Sequence, residues 1–150
     1  MADLMTSIST TDADFVVKLI DVFPDYFSYN NVDIYREIDP KLSYPMGGYQ
    51  MLVHGEIMRG KFRNSFEKPE AFTPGKIEKV RYQLGDIAHT FRRGHRIMIQ
   101  IQSTWFPLAD RNPQKFVDIY HASESDFQKA SIKIYHNGEV NSKIILPVLK

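Results

Sequence analysis

Residues 94–104 read Gly94-His95-Arg96-Ile97-Met98-Ile99-Gln100-Ile101-Gln102-Ser103-Thr104. Successive side chains of an extended chain point to opposite sides, so His95, Ile97, Ile99, Ile101 and Ser103 share one face and Arg96, Met98, Gln100, Gln102 and Thr104 the other. That period of two predicts a strand, with the isoleucine face turned to the core. Arg92-Arg93-Gly94 before it reads as a turn, because Gly94 can take the positive φ that residues with side chains avoid.

Working outward, strand-like patterns recur at 3–8, 15–23, 50–59, 76–84, 130–136 and 143–149. Pro147 puts the last of these on an edge or ends it early. Asn137-Gly138 is the strongest hairpin signal, since both residues tolerate the positive φ that a two-residue hairpin turn requires. A short helix is expected only at 123–130, with Ser123 or Ser125 as its N-cap. Two irregular stretches remain. Residues 24–48 are rich in Tyr, Pro, Asn and Asp, and residues 105–116 carry Trp105, Phe106 and Phe116. Strands punctuated by turns at this spacing predict an all-β, jelly-roll two-sheet sandwich of the galactose-binding-domain type.

The 150-residue length suits one domain, and 43% hydrophobic with 25% charged residues is a globular composition. A net charge of +1, with basic residues scattered among acidic ones, argues against nucleic acid as a partner. The longest apolar runs are strand-sized, which argues against a membrane span. Cysteine is absent, so there is no disulfide, thiolate ligand or cysteine nucleophile. Met1-Ala2-Asp3-Leu4 has none of the charged-then-apolar order of a signal peptide.

Hydrolytic chemistry would need a serine at a sharp turn with a histidine and a carboxylate, and no Gly-x-Ser-x-Gly occurs. Ser103, at a strand end, reads as a hydrogen-bonding turn residue. His54-Gly55-Glu56 offers two ligands on one strand face, short of the three a catalytic metal takes, and His89, His95, His121 and His136 read as structural. No metal or cofactor is expected. Asp12 and Asp14 lack the glycine and distant glutamate of a calcium loop and read as polar turn residues. Asp110-Arg111-Asn112-Pro113 reads as a turn capped by its own side chains. The basic cluster 59–64 is expected to pair internally with Glu56 and Glu67.

Segments 12–24, 48–50, 59–63, 94–103, 105–108, 110–116 and 128–130, in that order and spacing, resemble the C-terminal domain of the α-amino acid ester hydrolases and glutaryl-7-aminocephalosporanic acid acylases. The resemblance covers nearly the whole chain. It extends to the cocaine esterase and Xaa-Pro dipeptidyl-peptidase group of serine hydrolases, in which an α/β-hydrolase domain and a helical cap precede a jelly roll. It implies that residues 1–150 are a single non-catalytic domain, the C-terminal part of a larger α/β-hydrolase whose catalytic serine, aspartate and histidine lie upstream. The catalytic domain of the same parent chain is then the partner, and export of the parent is what the resemblance implies about compartment.

Docking residues are expected on the two irregular segments: Tyr26, Phe27, Tyr29, Tyr35 and Tyr44 on one, Trp105, Phe106 and Arg111 on the other. Aromatic and Arg anchors of this kind dominate interdomain contacts. Left uncovered, such a surface would favour self-association. The alternative reading is a carbohydrate-binding jelly-roll module using Trp105, Tyr26 and Tyr29 as stacking platforms.

Overall fold

A computed structural model describes residues 1–27 and 46–149. The chain divides into two compact units, Met1–Val17 with Gly55–Gly85 and Ile101–Lys150, and Lys18–His54 with Asp86–Gln100. Nine strands are present among the described residues: β1 (Ala2–Ile8), β2 (Asp14–Val22), β3 (Gln50–Arg59), β4 (Glu78–Tyr82), β5 (Arg96–Gln102), β6 (Ile132–Ile134), β7 (His136–Asn137), β8 (Val140–Asn141) and β9 (Lys143–Ile144). Short 3-10 turns occur at Gly60–Phe62, Ile119–His121 and Glu124–Asp126, and there is no α-helix among the described residues.

β1 organises the first sheet. It pairs antiparallel with β4 through Ala2 to Thr6, with β6 through Thr6 to Ile8, and with β9 at Ala2 and Asp3. Ala2 is matched with both Tyr82 and Ile144, so β4 lies on one side of β1 while β9 lies on the other. A second sheet has the order β3-β2-β5. A hairpin forms at the expected place with its turn one residue further on: His136 pairs with Asn141 and Asn137 with Val140, so Gly138 and Glu139 make the turn, with Gly138 at φ 71°. The last strand stops at Ile144, short of Pro147.

Within the first unit the inward face of β1, with Leu4, Thr6 and Ile8, is buried together with Phe15, Phe72, Val80 and Tyr82. The two layers of a β-sandwich meet here. The Tyr82 hydroxyl donates to the Phe15 carbonyl at 2.9 Å, and the Phe15 and Phe72 rings lie 6.1 Å apart. Burial, with Glu56 nearby, pushes the Tyr82 phenol upward, which keeps it a donor.

Two expectations are corrected. The isoleucine face of β5 is not core, since Ile97 is 56% exposed and Ile99 and Ile101 are half-buried. The buried strand is β2, where all nine residues but Lys18 are buried. Alternation shows that a strand has two different faces but not which neighbour covers them. The helix expected at 123–130 is a single 3-10 turn, closed by Asp126, whose carboxylate accepts from the Ser123 N–H at 2.9 Å. Ser123 takes the N-cap position as expected, but its hydroxyl donates to the Asp126 carboxylate at 3.0 Å and too few apolar residues follow to prolong the turn into a helix.

Candidate functional site

Asp12 and Asp14, read from sequence as turn residues, are buried at 2% and 1% exposure. β2 begins at Asp14 and β3 ends at Arg59, and their side chains form an ion pair, with Arg59 Nε 3.1 Å from Asp14 Oδ1. Asn112 Nδ2 donates to both carboxylates, at 3.2 Å to Asp12 Oδ2 and 2.8 Å to Asp14 Oδ1. Asp12 Oδ1 accepts from the backbone N–H groups of Ala13 and Lys61, each at 2.9 Å. Burial pushes the Asp12 carboxyl above the ordinary carboxylate range, and Asp14 pushes the same way. Bonds from Asn112, Ala13 and Lys61 pull it only partly back.

The hub fixes the loop 105–116. Arg59 donates to the Asp110 carbonyl at 3.1 Å, and Lys61 Nζ donates to the Val117 carbonyl at 2.8 Å. Asn112 Oδ1 accepts the Gln114 N–H at 2.8 Å, as the turn reading expected, and holds Gln114 at φ 64°, a left-handed conformation that a residue with a side chain adopts only when its surroundings enforce it. Gly60 permits the close packing at the strand end: a Cβ there would lie 2.6 Å from the Ala13 carbonyl oxygen. The cluster 59–64 therefore pairs with Asp14 and Glu78, through Arg59 and Arg63, and not with Glu56 and Glu67. Sequence distance misled here, because chain folding brings strand ends together across 45 residues.

In the second unit Asp21, 2% exposed, takes His89 Nε2 on one oxygen at 2.9 Å and His95 Nδ1 on the other at 2.8 Å. Burial raises its carboxyl, but the bonds from His89 and His95 outweigh that and hold it below the ordinary value. His95 packs on Phe23, with ring centroids 4.5 Å apart. The imidazole nitrogens face the carboxylate oxygens directly, so the three groups do not converge on a vacant point. No group of three His, Asp or Glu that could hold a metal ion occurs among the described residues.

The expected docking residues are distributed as follows. Tyr26 is 98% exposed, whereas Phe27 lies 5.0 Å from the Phe23 ring and 6.4 Å from His95. Tyr29, Tyr35 and Tyr44 lie outside the described residues. Trp105 is half-buried over β3, where its ring leaves no room for a Cβ on Gly55. Phe106 is 63% exposed, and the Arg111 guanidinium lies 5.9 Å from its ring centroid. Sequence reasoning missed Leu108, 72% exposed, and Phe127, whose ring lies 5.3 Å from Arg111.

An open groove of about 360 Å³ is lined by residues including Glu56, Met58, Ser65, Phe66 and Arg81. It contains no histidine, and the Ser65 hydroxyl accepts the N–H groups of Glu67 and Lys68 at 3.2 and 3.1 Å, which makes it a turn cap and not an activated nucleophile. No helix of the described residues is long and apolar enough to cross a membrane.

These features define a class: a β-sandwich domain with buried polar hubs and exposed aromatics on a pinned loop. The family model for the X-Pro dipeptidyl-peptidase C-terminal non-catalytic domain matches residues 1–145, and the chain belongs to that family. It is 30% identical over 149 residues to the cocaine esterase of Rhodococcus sp. (strain MB1 Bresler), covering 99% of this chain and 22% of the esterase. Among solved structures it is similar to a selenomethionine-labelled α-amino acid ester hydrolase, with 39% identity, a TM-score of 0.80 and coverage of 94% of this chain and 21% of the hydrolase. An aminopeptidase from the marine sediment archaeon Thaumarchaeota archaeon gives 41% identity, a TM-score of 0.79 and the same coverage, 94% and 21%. The chain thus spans about a fifth of the length of these relatives.

Proposed function

We propose that this non-catalytic domain packs on and shapes the catalytic α/β-hydrolase domain of a serine hydrolase that cleaves ester or peptide bonds, of the acylase, α-amino acid ester hydrolase or X-Pro dipeptidyl-peptidase type. The observation that carries the reading is the family match over residues 1–145, in relatives that are several times longer. Trp105, Phe106 and Arg111, with Tyr26, Phe27, Tyr29, Tyr35 and Tyr44 on the other segment, supply the docking contacts. The hydrogen bonds that tie residues 110–114 of the loop 105–116 to the hub support this role, because a preorganised loop loses little entropy when covered.

The test has two arms. The chain by itself should turn over no aryl ester, and fluorophosphonate-sensitive turnover would overturn the reading. Substituted for the matching region of the α-amino acid ester hydrolase, the chain should give a soluble, active hybrid, and an aggregated hybrid would count against packing through this surface.

A further inference from the structure

We propose that Arg111 receives a carboxylate from the polypeptide surface that covers this loop, with Phe106 and Leu108 as the apolar part of the contact. The proposal rests on the reading of the chain as a packing domain and adds the chemistry of the partner. Arg111 is exposed, and its guanidinium lies 5.9 and 5.3 Å from the ring centroids of Phe106 and Phe127. Aromatic contact of this kind restrains the side chain but uses none of its N–H donors. Among the described residues Arg111 makes no hydrogen bond and no ion pair.

The other basic side chains of this stretch are already engaged. Lys115 Nζ is 2.8 Å from Asp126, His121 is 2.6 Å from Asp118, and Lys61 reaches the Val117 carbonyl at 2.8 Å. Arg111 is thus left with a fork of donors that matches the two oxygens of a carboxylate. Phe106 and Leu108, 63% and 72% exposed, add apolar surface that a partner would bury, and exclusion of water there strengthens the charge contact. Charge also selects among occupants. Across a two-fold contact a second copy would set one Arg111 patch against another, with like charges opposed.

The experiment is a titration of the nitrogen-15-labelled full chain, followed by NMR, with acetyl-Asp-Phe-amide and its neutral counterpart acetyl-Asn-Phe-amide. The acidic peptide should bind about five-fold more tightly or better, shifting the Arg111 Nε–H and the amides of 106–111 and 127. The preference should vanish in Arg111→Ala, shrink in Arg111→Lys and weaken in about 0.5 M NaCl. Both variants should keep the native spectrum, since the side chain holds nothing else together by hydrogen bonds. Equal binding of the two peptides, acid-selective shifts elsewhere, or an unchanged preference in Arg111→Ala would overturn the proposal. Concentration-dependent shifts of the same signals without peptide would also overturn it, by assigning the face to a second copy. The aryl-ester assay tests the non-catalytic reading independently of all these outcomes.

Discussion

Asp12 and Asp21 are both 2% exposed, yet their carboxyls are displaced in opposite directions, upward at Asp12 and downward at Asp21. Burial pushes both up, so the sign is decided by the partners. Asp12 receives an amide and two backbone N–H groups and sits beside a second carboxylate. Asp21 receives one imidazole on each oxygen. A buried carboxylate stays ionised readily where its donors can themselves carry positive charge, and reluctantly where they are neutral dipoles.

The largest way to break this comparison is to strip the first hub of its cation. Arg59→Met leaves Asp14 buried with only the Asn112 donor, and should destabilise the chain by about 3 kcal/mol in urea unfolding. A loss below about 1 kcal/mol would mean that Asn112 alone satisfies that carboxylate. Asp21→Asn should cost about 2 kcal/mol at neutral pH, because an amide cannot accept from both imidazoles.

The pH dependence sharpens the contrast through its sign. For Asp21, whose folded value is lowered, the contribution is present above the ordinary carboxylate value and is lost as pH falls through the depressed folded value. Asp21→Asn should remove that acid loss. For Asp12, whose folded value is raised, the folded state binds the extra proton between the ordinary and the raised value. Stability therefore falls as pH rises across that window, and Asp12→Asn should abolish this fall while costing about 1 kcal/mol through the donor it turns toward Asn112. Difference curves of wild type minus variant with the same slope for both would refute the opposition.

A smaller effect is expected at the surface. Lys115 holds Asp126 down to about 2, helped by Ser123, and Lys115→Met should move the Asp126 titration toward the ordinary value in a carboxyl NMR experiment, with little change in unfolding. The smallest expected effect is none at all: excess EDTA should leave the thermal midpoint where it is, since both hubs are linked to protons and no metal-ligating group is assembled among the described residues. A drop restored by one particular ion would expose a missed site.

The places of the long strands, a hairpin within one residue of Asn137-Gly138, the early end of the last strand and the family were legible in the sequence, because turn chemistry and side-chain alternation are local properties and resemblance is read along the chain. It did not reveal that β2 is buried on both faces while Ile97 on β5 is exposed, since a strand's cover is supplied by neighbours distant in sequence. The polar hubs were hidden for the same reason. His89 and His95 could be read only as structural, because their acceptor Asp21 lies 68 and 74 residues away. Asp12 and Asp14 resembled an ordinary turn until Asn112 arrived from 100 and 98 residues downstream. Those pairings depend on the folded arrangement, because hydrogen bonds reach about 3 Å and the sequence specifies no distance across the fold.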